Sequence, residues 1–336
     1  MEFDDDISPQ EAVFGALARA EDRLSRLDER VRHSGFREGW NGRADIRAVL
    51  GAMAADGDLV HPEDLILHDL GTDARAPEPS VTKAWRLLQA RRKARSGGAE
   101  LLSWAGLAWL SGLARQPPPP GARPTTRVEG MRAQVHGYAA LAAFFDALTA
   151  GEAESPRAAV EDCLCVLDVP GLPPLLQAAA LVEAWRVVDP LPRYRPIGAL
   201  AAALWLKVAG RFTVGLFPLE VVFRRRSMPP RLAWSPLHER LAYWLEQFAL
   251  GADLELEEVI RLGHQKTLIE RKANAARRTS RARDLARLAV ESPVMTTESI
   301  ARALSITPQG SLQLVRRMGG VLHEITGRSR YRVWRL

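Results

Sequence analysis

Residues 296–311 read Thr-Thr-Glu-Ser-Ile-Ala-Arg-Ala-Leu-Ser-Ile-Thr-Pro-Gln-Gly-Ser, and this stretch decides the fold of the C-terminal end. Ile300, Ala303 and Leu304 share one face of a short helix, with Thr296 or Thr297 placed to cap its start. Ser305 to Pro308 is a turn of helix-turn-helix length. Thr307 can cap the next helix, and Pro308 suits its first position, where no amide proton is needed. The second helix then runs to Met318, with Leu312 and Val315 inward and Gln309, Ser311, Gln313, Arg316 and Arg317 left polar. Gln and Arg reach base edges, and Ser reaches base or phosphate, when such a helix enters a major groove. After Gly319-Gly320, residues 321–325 and 331–334 alternate as two strands around Thr326-Gly327-Arg328-Ser329-Arg330. A basic hairpin behind a helix-turn-helix is a winged helix. Arg328, Arg330 and Arg332 are its expected grip on phosphate or minor groove.

Charge points the same way. The 336 residues carry 46 Lys and Arg against 40 Asp and Glu, a net of +6. Residues 261–336 hold 16 of the basic and 5 of the acidic ones, which leaves 30 against 35 in the first 260. Basicity confined to one end is the footprint of phosphate contacts.

The rest of the chain reads as mainly α. A hydrophobic content of 47% supports real cores. No apolar run approaches the roughly 20 residues of a membrane span. The acidic start, Met1 to Asp6, lacks the layout of a secretory signal. Cys163 and Cys165 are too close for an ordinary disulfide and too few for a zinc site, so they read as free thiols of a cytoplasmic protein. Helical patterns recur over 9–32 and 45–55, in a short helix opening at 62, and over 79–93, 132–150, 155–167, 174–188, 197–209, 216–225 and 236–250, then over a long basic stretch from 254 to 288. The prolines of 116–124 mark a loop. The expected organisation is an N-terminal helical region (1–115), a Pro-rich loop (116–130), a helical core (131–255), a basic connector (256–281) and the winged helix-turn-helix (282–336).

Three segments resemble the Fic fold, the helical scaffold of enzymes that usually move a nucleotide monophosphate onto a protein hydroxyl. Residues 54–65 resemble the Fic N-terminal stretch, with Asp56-Gly57 in the Glu-Gly place of its inhibitory motif and Ala52 in the Ser/Thr place. Residues 173–185 are similar to the helix that leads into the Fic active loop, and residues 322–333 to the wing appended to many bacterial Fic proteins. The loop itself has departed. Where the family has His-Pro-Phe-x-Asp/Glu-Gly-Asn-Gly-Arg-x-Gly-Arg, this chain has Asp189-Pro190-Leu191-Pro192-Arg193-Tyr194-Arg195-Pro196-Ile197-Gly198-Ala199-Leu200. Pro190 matches, and Gly198 lies one place before the family's last glycine. Asp189 replaces the base, Arg193 the acidic metal ligand, and Tyr194 and Pro196 the glycines of the phosphate nest, Pro having no amide to give. The phosphate-binding arginine places are empty unless Arg193 or Arg195 substitutes from another angle. The resemblance therefore implies the scaffold without the activity and without a cofactor.

Over nearly its full length the chain also looks like a family of uncharacterised bacterial proteins frequent in rhizobia. The matching patterns lie at Arg26 to Arg30, Gly35 to Trp40 and Leu59 to Asp69, followed by the helix-turn-helix tail.

Other clusters carry less. His61, Glu63, Asp64, His68 and Asp69 are close enough for a metal site, but acidic residues in a first helical turn and a late histidine fit helix-end electrostatics better. Arg224 to Arg226 reads as a solvated helix end, and the cysteines have no nearby His to activate them. The expected function is a non-enzymatic regulator that binds double-stranded DNA as a homodimer, with a possible protein partner on the body and no membrane. The rival expectations are a divergent Fic-type transferase and an adaptor or antitoxin-like partner of a Fic protein.

Overall fold

The structure is a computed structural model that describes residues 9–72, 76–119, 137–151, 153–224, 229–275, 281–326 and 332–336. The body is helical: α1 Pro9–Arg32, α2 Arg37–Ala55, α3 Pro62–Asp69, α4 Pro79–Ser96, α5 Trp104–Ser111, α6 Tyr138–Ala150, α7 Pro156–Leu164, α8 Pro174–Val188, α9 Pro196–Val208 and α10 Leu237–Asn274. Six of these helices, α1, α3, α4, α7, α8 and α9, have proline in the first turn, where the missing amide costs nothing.

The centre of the body is α8. Every residue from Leu175 to Trp185 is buried, the pattern of a helix covered on all sides. Its two polar members there have their bonds supplied. Gln177 donates to the carbonyl of Leu167 at 2.9 Å, and Glu183 accepts from Arg186, Arg240 and the Trp244 indole. The neighbouring α9 is also buried from Ile197 to Leu204. The two helices meet so closely that a Cβ on Gly198 would lie 2.3 Å from Cγ of Trp185. Around this pair, α1 buries Leu17, Leu24, Leu27 and Val31 at helical spacing and packs along α10.

The sequence pattern missed α5 and the first two turns of α2, which starts at Arg37 rather than at 45, and two further segments are organised differently. The helices expected at 236–250 and 254–288 are one continuous α10 to Asn274, followed by a separate α11, Ala282–Glu291. Gly251, in the gap between the two expected helices, sits inside α10 and is buried. It is tolerated because the tertiary contacts of that face outweigh its ~1 kcal/mol helix penalty. The helix expected over 216–225 is a short 3-10 turn, Leu219–Arg224, held by burial of Glu220 against Arg91. The Pro-rich loop lies outside the described residues from 120 onward.

The C-terminal head comprises α11, β1 Met295–Thr296, α12 Thr297–Leu304, α13 Pro308–Arg317, β2 His323–Glu324 and β3 Val333–Arg335. Its three strands are antiparallel in the order β1-β3-β2, with Met295 opposite Trp334 and Glu324 also opposite Trp334. Helix, strand, two helices and a two-stranded wing is the winged-helix arrangement. The strand β1 was not legible as such, being two residues long. The head is seated on the body: α11 packs on α2 and α10, and Val333 is buried with Ile66 and Leu67 of α3.

Candidate nucleic-acid interface

The helix-turn-helix unit is held by side-chain caps at the start of each of its helices. Thr296 accepts from the Ser299 amide at 3.0 Å, and the Ser299 hydroxyl accepts from the Thr296 amide at 2.8 Å, a capping box. Ser305 closes α12 in the left-handed region at φ 53°. Thr307 then starts α13 by accepting from the Gly310 amide at 3.1 Å, with Pro308 next. The short polar caps at both ends of the turn set the angle at which α13 leaves it.

The inner face of α13 is Ser311, Leu314 and Val315, with Leu312 half-buried. Ser311 is therefore a correction. It is fully buried and its hydroxyl donates to the Thr307 carbonyl at 3.3 Å, because residue 311 lies on the stripe of 314 and 315. A side chain in that place has no path to a base or phosphate. On α12, likewise, Ala301 rather than Ala303 joins Ile300 and Leu304 inside.

Gln309, Gln313, Arg316 and Arg317 remain, all exposed, spaced four, three and one residues apart along one side of α13. Thr307 is exposed at the start of that row. Neither Arg316 nor Arg317 has an ion pair among the described residues. Several arginines of the body are, by contrast, neutralised in pairs, such as Arg91 with Asp45 and Glu220, Arg47 with Glu255, and Arg92 with Asp69. At the other end of the helix, Lys272 of α10 donates to the Gly319 carbonyl, so α10 braces the exit of α13.

Arg332 in the wing faces Glu324 at 3.6 Å and is half-buried. Arg328 and Arg330 lie outside the described residues. Two exposed cations that spacing did not single out, Arg302 on α12 and Arg335 on β3, also stand on the head. Their charge was visible, but only the packing shows that they face outward.

Residues 283–336 match a family model described as an HTH DNA binding domain. Residues 138–274, covering α6 to the end of α10, match one described as a protein of unknown function (DUF1612). The chain is also similar, at 27% identity over 93% of its length and 93% of the relative's, to "Uncharacterized protein y4cF" of Sinorhizobium fredii (strain NBRC 101917 / NGR234).

The remaining sequence candidates have structural occupations. Asp189 caps α8 in the left-handed region at φ 46°, and Arg195 holds its carboxylate with bonds of 3.0 and 2.6 Å. Pro190 is buried, Arg193 is exposed, and Gly198 is the contact point for Trp185. Asp69 accepts from Arg92, Trp85 and Gln89, and His68 meets the Trp85 ring edge-on. Among the described residues, no group of three or more His, Cys, Asp and Glu side chains is arranged to hold a metal ion. Both cysteines are buried free thiols, and burial pushes the Cys163 thiol far up. A thiol held protonated is a poor nucleophile. No described helix is long and apolar enough to cross a membrane.

Proposed function

We propose that the protein is a transcriptional regulator that binds double-stranded DNA through α13 and the wing, without catalytic activity of its own. The observation that carries this reading is the exposed row Gln309, Gln313, Arg316 and Arg317 on a rigidly capped helix, with both arginines unpaired among the described residues. Glutamine amides and arginine guanidinium groups match adenine and guanine edges in the major groove. In this reading Thr307 and Arg302 make flanking phosphate contacts, and Arg328, Arg330 and Arg332 complete the wing. One head makes few base contacts, so the protein acts as a homodimer on two half-sites about 34 Å apart.

The body is taken as a degenerate Fic-like scaffold that serves dimerisation, sensing or a protein partner. In this reading the α8–turn–α9 unit takes the place of the family's loop. Support comes from Arg195, whose guanidinium is committed to Asp189, and from Pro196, which offers no amide at the α9 start.

The test is equilibrium binding of the full chain to fragments from its own upstream region. Affinity should fall roughly a thousandfold between about 50 and 200 mM salt if several phosphates are neutralised. Binding indifferent to salt overturns the DNA reading. Incubation with labelled nucleotides and host lysate tests the second half, and label on any protein that requires this chain overturns it.

A further inference from the structure

A cavity of about 480 Å³ lies between α4, α5 and the turn that leads into α9, and no residue of the head lines it. Its deep wall is apolar and fully formed: Met53, Leu87, Leu110 and Ile197 are all buried and line it. Its rim carries Arg86 of α4 and Arg193 of the α8–α9 turn, both exposed.

The charge balance of this rim is one-sided. Helix α4 holds six cations, and five are engaged: Lys83 with Asp56 and Asp58, Arg91 with Asp45 and Glu220, Arg92 with Asp69, Lys93 over the Trp109 ring, and Arg95 with Asp45. Arg86 is the remaining one, and it has no ion pair among the described residues. Arg193 is likewise unpaired there. No acidic residue lines the cavity. Pro79 and Pro196, the first residues of α4 and α9, also border it, so two helix starts add positive potential at the same rim. An apolar pocket of this size with a few convergent polar groups is the usual form of a small-molecule site.

We infer that this cavity binds a small organic anion, with its apolar body against Met53, Leu87, Leu110 and Ile197 and its carboxylate or sulfonate held by Arg86 and Arg193. Guanidinium groups suit such planar acceptors through paired charge-assisted bonds. The inference does not depend on DNA binding, and it would give the body a ligand to sense.

The experiment titrates the full chain, without DNA, with the fluorescent sulfonate 8-anilinonaphthalene-1-sulfonate. Saturable binding at one site per chain is expected, with displacement by decanoate but not by decanol. Arg86→Ala with Arg193→Ala should weaken the affinity by roughly tenfold or more, the loss of at least one charge-assisted contact. Arg86→Lys with Arg193→Lys should restore part of it. Arg19→Ala with Arg26→Ala, two exposed arginines of α1, should change it less than about twofold. These are surface side chains, and thermal unfolding of each variant verifies the fold. Absence of saturable binding overturns the inference. So does equal displacement by decanol, an affinity unmoved by the Arg86 and Arg193 pair, or equal loss in the α1 control.

Discussion

Arg43 of α2 donates to the main-chain oxygen of Val290, at the end of α11, across a separation of 3.0 Å. The same guanidinium reaches the carbonyls of Ala289 and Ser292 at 3.0 and 2.9 Å and that of Gly39 at 2.8 Å. One body side chain thus satisfies the otherwise orphaned carbonyls at the C-terminus of the head's first helix. Desolvation, then the nearby Arg47 and Arg261, push its pKa down to about 10, so it stays charged at neutral pH. Arg43→Ala leaves several carbonyls unpaired. The expected loss is on the order of 3 kcal/mol of unfolding free energy, with faster hydrogen exchange in α11 than in α8. Unchanged α11 protection would show that Arg43 does not hold the head.

Gly39 lies one turn earlier on the same face. A Cβ there would stand 2.0 Å from the Val290 oxygen. In an ordinary helix interior, Gly→Ala stabilises by about 1 kcal/mol. Here the sign should reverse, because the methyl group forces α11 away from α2. Chemical denaturation of Gly39→Ala reads the sign directly, and a stabilised variant would contradict this close seating.

How much of this was legible in sequence depends on the range of the forces involved. The capping threonines, the turn at Ser305 and the start at Pro308 act within four residues, so Thr296, Thr307 and Pro308 could be placed from spacing alone. Ser311 was misplaced because a small polar residue carries no hydropathic sign of its inward position; only the stripe of Leu314 and Val315 reveals it. The seating of the head was invisible. It rests on Gly39, Arg43 and Val333, residues that meet partners more than 200 positions away. The cavity behind Arg86 and Arg193 was equally hidden, although Arg193 itself stood out in the altered loop.

Buried charge makes a third prediction. Arg91 is wholly buried and bonds to Asp45 at 3.1 Å and to Glu220 at 3.1 and 3.2 Å. Desolvation raises the pKa of Glu220 above the ordinary carboxylate range even with Arg91 opposing it. Arg91→Met should cost about 3–5 kcal/mol at neutral pH by stranding the Glu220 carboxylate, while Asp45 keeps Arg95 as its partner. The variant's folded state would then hold Glu220 still higher. Between the unfolded and folded pKa values the folded state binds the extra proton, so stability falls as pH rises through that window. Denaturation at several pH values should therefore show the deficit of Arg91→Met shrinking toward acid. A deficit that is constant or grows toward acid would contradict the assignment of the stranded charge to Glu220.

The row on α13 separates two kinds of contact. If Arg316 and Arg317 meet phosphates, Arg316→Ala with Arg317→Ala lowers affinity for every sequence and makes the salt slope shallower by roughly 1.8, at about 0.9 per phosphate. If Gln309 and Gln313 read base edges, Gln309→Ala or Gln313→Ala leaves that slope intact. Each then relaxes discrimination at particular positions by about 1–3 kcal/mol. Ser311→Ala supplies the internal contrast. Its hydroxyl is spent on Thr307 inside the head, so the substitution should leave both slope and sequence preference unchanged while costing on the order of 1 kcal/mol of stability. Binding isotherms for the four variants on one set of singly substituted DNA sites distinguish these roles. A Ser311→Ala protein with altered sequence preference would mean that α13 meets DNA by a different face from the one that carries Gln309, Gln313, Arg316 and Arg317.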